Sequence, residues 1–184
     1  MVHRTTMEPG KLELLTGWLP RQPWWVGGDR PPQLATAGGF RLDDPQGEVG
    51  IEFIFATDVV DGQQVTYHVP LSYRGAPLAG AEGALLGTSQ HGVLGRRWIY
   101  DAAQDPVALA ALDAFVHGRV EAQHQNQSST PEPSVTCSGP IGADAVVELV
   151  RVLDGAPAAA SGYIEAGWSL PDGTAVHGPV ALVR

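Results

Sequence analysis

The sequence predicts an α+β fold, in which an antiparallel β-sheet packs against one or two helices and further antiparallel strands follow near the C-terminus. Two segments around Asp61-Gly62 alternate apolar and polar residues with the period-two pattern of strands, and this dipeptide favours a tight hairpin turn. Apolar residues spaced three and four apart indicate one helix before these strands and one after them. Two strand-like runs flank the turn sequence PDGT near the end of the chain.

The amino-acid composition limits the classes of protein to which this chain can belong. Of the 184 residues 43% are hydrophobic and 17% charged, which suits one well-filled core. A formal net charge of −9 repels phosphate backbones, so no nucleic-acid partner is expected. No apolar run approaches the ~20 residues of a membrane span, and the first residues lack the apolar core of a secretion signal. We therefore expect a cytoplasmic protein without membrane contact, and its single cysteine, Cys137, excludes an internal disulfide.

The N-terminal half is expected to contain a helix, a loop and three strands. Residues 1–10 are predicted to be a flexible tail, and leucines at helical spacing predict a helix from Lys11 that ends before Pro20. A proline-rich irregular loop follows. Strands are predicted at 37–42, 49–57 and 65–73. Because proline cannot donate to a β-ladder, Pro70 predicts an edge position or a bulge for the third of these strands.

The C-terminal half begins with a small-residue connector, 74–87, with room for a helical turn, and a strand is predicted at 95–100. Asp105-Pro106 is a strong helix start, since Asp caps free N–H groups and Pro suits the first helical position. That helix is expected to extend to about Gln123, with an apolar stripe formed by Leu109, Leu112, Phe115 and Val116. Residues 125–144 are predicted to be a linker or long loop, and 145–184 C-terminal β-strands packed on the same domain. Within these, AVVELVRVL favours a strand, with a short helix as the alternative.

Three segments together resemble a known family. LTGWLPRQPWWVGG, at 15–28, is similar to the WLP-x-QRW-[YF]-x-G opening of the N-terminal cap domain of actinobacterial maltokinases. The segments at 40–78 and 91–107 look like free-standing relatives of that cap, and the resemblance extends over about 12–123. It implies a curved antiparallel sheet packed against helices, comparable with cystatins, over a cap-like domain at 11–124. It also implies a stand-alone domain without the kinase lobes.

The resemblance does not bring a kinase active site with it. Phosphoryl transfer needs a base, metal-holding acids and a phosphate-binding lysine. No HGD-x-H-x-x-N loop or metal-binding DFE motif follows Gln125, and the only lysine, Lys11, lies in the first predicted helix. We therefore expect no kinase activity, no catalytic residue carried over from the family and no cofactor. Histidine spacing likewise predicts no metal site.

The stretch HGVLGRRWIYD, at 91–101, is the richest in functional groups. In a strand at 95–100, Arg96 and Arg97 point to opposite faces, so they cannot jointly hold one phosphate. The stretch is therefore interpreted mainly as scaffold. In that interpretation Trp98 and Tyr100 pack under the second helix, one arginine pairs with an acid and the other faces solvent. Asp101 and Asp105 are expected to cap the helix start.

Trp18, Trp24 and Trp25 are the strongest functional lead in the sequence. Tryptophan rings bind the apolar faces of sugars and anchor protein interfaces. The alternative is a hydrophobic plug that ties the first helix to the sheet.

Two functional hypotheses follow. The first is a non-catalytic binding or regulatory module, linked by resemblance to α-glucan or trehalose metabolism, that acts on a protein partner or on itself. Its contact surfaces would be the strand with Pro70 and the Trp24-Trp25 loop, or the C-terminal hairpin in self-association. The alternative is a sugar or sugar-phosphate site, or a small enzyme, between the sheet and the C-terminal strands, with His68, His91 and Arg96 as its polar groups.

Overall fold

A curled seven-stranded antiparallel sheet forms the centre of the fold. The computed structural model describes residues 7–153 and 159–184, so the predictions for 1–6 and 154–158 fall outside it. The strands of this sheet are β1 (Met7–Glu8), β2 (Ala35–Asp43), β3 (Gly50–Val60), β4 (Gln63–Arg74), β5 (Leu85–His91), β6 (Gly95–Asp101) and β7 (Gln123–His124). They are ordered β1-β5-β6-β4-β3-β2-β7. The predicted α+β class with an antiparallel sheet is confirmed.

The longest hairpin, β3–β4, forms where the turn dipeptide predicted it. Asp61 and Gly62 have φ values of 50° and 79°, so both central residues adopt the left-handed conformation of a type I′ turn. β3 and β4 then pair without interruption from Val60 and Gln63 to Gly50 and Tyr73.

β4 is an interior strand, so the prediction of an edge position for Pro70 is wrong. The strand pairs with β3 on one side, whereas its other side is divided between two shorter neighbours. On that side His68 donates its backbone N–H to Arg151 O at 2.9 Å, and pairing with β6 begins only at Leu71. By period-two alternation Pro70 faces the gap between these neighbours, where no backbone donor is needed.

Two α-helices cover parts of this sheet, α1 (Lys11–Trp18) and α2 (Pro106–Val116). As predicted, α1 ends before Pro20, which lies in a 3₁₀ turn at Leu19–Arg21. The start of α2 is also confirmed, because the Asp105 side chain accepts the Val107 N–H at 3.0 Å. Its predicted end at Gln123 is wrong. Gly118 has φ 66°, and Arg119 N donates to Ala114 O at 2.8 Å, a glycine-terminated helix end.

The buried face of α2 differs from the predicted stripe. Leu112, Phe115 and Val116 of the predicted stripe are buried, but Leu109 is 47% exposed, and Ala108 and Ala111 complete the buried face instead. The small alanine side chains let the helix backbone lie close to its neighbours, whereas Leu109 remains exposed to solvent.

Three strands of the central sheet, β1, β5 and β7, were not predicted. β1 lies in the predicted flexible tail and pairs with β5. β5 follows a 3₁₀ turn at Glu82–Ala84, the helical turn for which the connector has room. The β5–β6 register shifts between Leu85 and Gly87, which breaks the period-two pattern that would reveal a strand in the sequence.

The C-terminal strands are antiparallel, as predicted, and the structure shows that they form a second sheet. Its strands are β8 (Thr136–Ser138), β9 (Val147–Leu149), β10 (Gly162–Ser169) and β11 (Ala175–Val183), in the order β8-β10-β11-β9. β8 lies within the predicted linker, and AVVELVRVL contributes a strand rather than a helix.

The central sheet is covered on both faces. One apolar cluster joins its α2 side to the second sheet and includes Phe40, Phe53, Phe55, Leu112, Ile164, Trp168 and Val180. The other joins the opposite face to α1 and includes Leu15, Trp18, Leu19, Ile54, Tyr67, Val69 and Ile99. Within the described residues, no helix is long and apolar enough to cross a membrane.

Candidate functional site

The three tryptophans of the sequence lead lie together on the α1 face. Trp18 is 2% exposed in the core, and its ring centroid is 5.7 Å from that of Trp24. Trp25 stacks on Tyr67 with centroids 5.3 Å apart, and its indole N–H donates to Gly28 O at 2.9 Å. Trp18 therefore ties α1 to the sheet, as in the alternative interpretation of the three tryptophans. Trp24 and Trp25 are half-buried at the surface.

His68 is fully buried on the opposite face, between the two sheets. Its Nδ1 lies 3.1 Å from both Val150 O and Val180 O, which requires this nitrogen to carry the proton. Burial, followed by the nearby charge of Arg151, lowers the pKa of His68 to about 3. His68 is thus a neutral link between β4 and the C-terminal sheet.

The β5–β6 turn holds the remaining predicted site residues. His91 Nδ1 accepts the backbone N–H groups of Val93 and Leu94 at 3.3 and 3.1 Å, which closes the turn. The Arg96 guanidinium lies 6.0 Å from the centroid of the neighbouring Trp98 ring, whereas Arg97 Nη2 donates to Leu94 O at 2.6 Å. The arginines therefore point apart, as predicted.

Other details of the scaffold interpretation are wrong. Trp98 and Tyr100 pack in a separate cluster with Ala81 and Ala84 of the connector, instead of under α2. Neither arginine of the stretch forms an ion pair among the described residues. The connector packs against Trp98 and Tyr100 of β6, where the second helix was expected to pack.

Asp101 and Asp105 are caps, as predicted, and each is also one half of an ion pair. Arg151 Nη2 lies 2.7 Å from an Asp101 carboxylate oxygen, and Arg74 donates twice to Asp105 at 2.6 Å. Burial acts to raise the pKa of Asp105, but hydrogen bonds, led by that from Arg74, together with the Arg74 charge outweigh it and hold that pKa below its usual value. Both carboxylates therefore hold the fold together.

A groove of about 1020 Å³ lies beside the first turn of α1, between the β2–β3 and β5–β6 turns. Of the predicted site residues, His91 and Arg97 line it. Trp18, Trp24, Trp25, His68 and Arg96 are not among its lining residues.

Glu52, which the sequence analysis missed, lies at the floor of this groove. Its Oε1 accepts hydrogen bonds from Lys11 Nζ at 2.7 Å and from Gln125 Nε2 at 2.8 Å. Its Oε2 accepts the Tyr73 hydroxyl at 2.7 Å. Burial, then the Glu52 charge, raises the pKa of Tyr73 well above its usual value, so the phenol remains a donor. The sequence signal that could have revealed Glu52 was a single acidic residue within the apolar strand VGIEFIFAT.

A second cleft of about 500 Å³ lies between β2 and the C-terminal sheet, where the small-molecule hypothesis expected a site. His68, His91 and Arg96, the polar groups of that hypothesis, are not among its lining residues. Instead it contains His124, whose Nδ1 accepts a backbone N–H, and His177, whose Nε2 lies 2.9 Å from a backbone carbonyl oxygen. No group of three potential metal-ligating residues occurs in the described part of the chain.

These observations define an α+β domain with a curled antiparallel sheet, helices and a second sheet on its faces, and a polar groove beside the first helix. Residues 18–105 match the family model of the maltokinase N-terminal cap domain. This match confirms the resemblance to the cap domain inferred from the sequence. The match extends from the last residue of α1 to the cap of α2, so α2 and the second sheet lie beyond it. No curated protein matches the chain.

Proposed function

We propose that this protein is a non-catalytic binding module of α-glucan metabolism that acts in the cytoplasm on a protein partner. Its contact surface is the tryptophan loop, Trp24–Val26. The observation that carries the proposal is the pair of neighbouring tryptophans that are fixed in place and still partly exposed.

The tryptophan loop is preorganised for contact. Trp25 is held by its stacking on Tyr67, and the Trp24 ring lies 5.3 Å from the Arg151 guanidinium. Val26, at the end of the loop, is 46% exposed. Half-buried tryptophans beside an apolar residue are typical anchors of interfaces, and a rigid loop loses little entropy when it binds.

The non-catalytic role is supported by how the buried acids are used. Each of four buried carboxylates forms an ion pair with a basic side chain, and these pairs are Glu52–Lys11, Asp58–Arg30, Asp101–Arg151 and Asp105–Arg74. A carboxylate held in this way is poorly placed to act as a general base, because hydrogen bonds from the paired cation occupy oxygens that would accept a substrate proton. The link to α-glucan metabolism is supported by the cap family alone.

The test is affinity capture from a lysate of the source organism, followed by binding measurements with the purified candidate. We expect an enzyme of α-glucan metabolism to bind the wild-type chain. Trp25→Ala should weaken this binding about tenfold or more, the cost of losing a single interface anchor. Val26→Asp should do the same, because it places a charge in the contact without removing core packing.

Trp98→Ala is the matched control, since Trp98 has similar exposure but lies outside the tryptophan loop. Equal binding by all variants would refute the proposal. So would a capture that returns only the chain itself, with light scattering showing self-association.

A further inference from the structure

We infer that the groove above Glu52 binds a neutral, polyhydroxylated small molecule such as a short oligosaccharide. This site is separate from the tryptophan loop and goes beyond the proposed function. The volume of about 1020 Å³ is in the range of pockets that bind small organic ligands.

The floor of the groove is a prearranged hydrogen-bonding array. Glu52 is held by Lys11 of α1, Tyr73 of β4 and Gln125 after β7. These three donors occupy three of the about four acceptor positions of a carboxylate, and one on Oε2 is left. The Glu52 side chain is 10% exposed, whereas that of Lys11 is 36% exposed. A ligand hydroxyl can therefore reach both an acceptor and a charged donor.

Stability alone does not account for this network. Burying a carboxylate and an ammonium costs desolvation energy, and apolar residues of similar size often serve a core equally well. The neighbours of Glu52 on the same face of β3 and β4, Ile54 and Leu71, are apolar and buried. The polar group thus occurs where the sheet leaves the cover of α1 and meets the groove.

The charges around the groove oppose an anionic ligand. The three cations Lys11, Arg41 and Arg97 face the four carboxylates Asp43, Asp44, Glu48 and Glu52. Lys11 pairs with Glu52, Arg41 Nη1 lies 3.7 Å from Asp43, and Arg97 Nη2 donates to a backbone carbonyl. Arg41 Nη2 and Arg97 Nε are buried without a hydrogen-bond partner among the described residues. A phosphate would need two or more accessible donors, whereas these two nitrogens are buried, and it would lie near excess negative charge. Hydroxyl groups, which both donate and accept, fit this mixed lining.

An apolar surface accompanies these polar groups. Tyr73 lies opposite Gly50, where an added Cβ would be 3.5 Å from the tyrosine side chain. Because Gly50 has no side chain, this part of the floor stays open. Sugar rings pack their C–H faces on such surfaces while their hydroxyls bind the polar groups around them.

Isothermal titration calorimetry with the full chain tests the inference. The probes are maltotriose and cellotriose, with glucose and glucose 6-phosphate as a pair that differs only in the phosphate. We expect saturable binding of at least one trisaccharide and no gain in affinity from the phosphate. Absence of saturable trisaccharide binding up to about 10 mM, or tenfold tighter binding of glucose 6-phosphate than of glucose, would overturn the inference.

Substitutions test whether the trisaccharide binds in the groove. Glu52→Gln, which keeps the shape but loses the charge, should weaken trisaccharide binding about tenfold. Glu165→Gln on the second sheet is the matched control and should bind like the wild type. Gly50→Ala adds a methyl group at ordinary contact distance, so it tests the groove in a folded protein even where Glu52→Gln destabilises the chain. Unchanged binding by both groove variants would overturn the inference, whereas Trp25→Ala should bind normally.

Discussion

Acidification should weaken the fold through His68 well before most carboxylates titrate. The folded-state pKa of this histidine is about 3, against the ordinary value of 6.5 in an unfolded chain. The cause is its burial between the sheets, followed by the charge of Arg151. Between these two pKa values the unfolded chain binds a proton that the folded chain excludes. The stabilisation by neutral His68 is therefore complete above pH 6.5 and is lost as the pH falls toward 3.

The size of the effect follows from this linkage. Each pH unit well inside the window removes about 1.4 kcal/mol, so acidification from pH 7.5 to 4.5 should cost roughly 2.7 kcal/mol of unfolding free energy. That is a large share of the about 5–15 kcal/mol that keeps a typical domain folded. A folded-state pKa higher by about one unit would still leave most of this loss, because the chosen range stays near or above it.

The assay is urea unfolding followed by tryptophan fluorescence at several pH values between 7.5 and 4.5. His68→Asn keeps an N–H donor near the Nδ1 position but cannot take up a proton in this range. The wild type should lose about 2.7 kcal/mol more than His68→Asn, while His124→Asn, at a histidine that is only half-buried, should follow the wild type. The reasoning is refuted if the difference in unfolding free energy between the wild type and His68→Asn stays constant within about 0.5 kcal/mol across this pH range.

Four further substitutions test the contacts and backbone conformations that hold the fold together, each by thermal or urea unfolding. Asp105→Ala should cost about 3–5 kcal/mol, because it removes the cap of α2 and leaves the Arg74 charge unpaired, and a loss below about 1 kcal/mol would contradict this. Gly118→Ala should cost about 1–2 kcal/mol, since alanine is strained at φ 66°. Gly17→Ala, within α1 and with open space around it, should instead stabilise by about 0.5–1 kcal/mol, and equal signs for the two glycines would be inconsistent with this argument. Arg151→Ala should cost about 3 kcal/mol because a buried carboxylate of β6 loses its partner, with faster amide exchange at 150–152 as the second measurement.

Features of the fold that depend on neighbouring residues could be predicted from the sequence. Asp61-Gly62 specifies its own turn because both residues tolerate positive φ, and Asp105-Pro106 begins a helix because cap and first turn are adjacent in the chain. The end of α2 shows the limit of this reasoning. The apolar spacing continued past Val116, but Gly118 allowed a left-handed residue that terminated the helix.

The candidate site depends on residues far apart in the chain. Lys11 and Glu52 are separated by 41 positions, and Gln125 and Glu52 by 73. No local pattern relates such residues, because their contact arises only when α1 and the chain after β7 approach the same strand. His91 and Arg97, two of the predicted site residues, do line the groove, but they reach it through the shape of the β5–β6 turn.

The sequence by itself determined the α+β class, the central hairpin, the starts of both helices and the resemblance to the cap family. All of these depend on periodicity, turn chemistry and short motifs. Only the tertiary structure decided that β4 is interior, that the C-terminal strands form a separate sheet, and that Glu52 is the buried acid at the floor of the groove. The physical reason is that strand order and side-chain clustering come from long-range packing, in which each residue's partners are set by the whole chain.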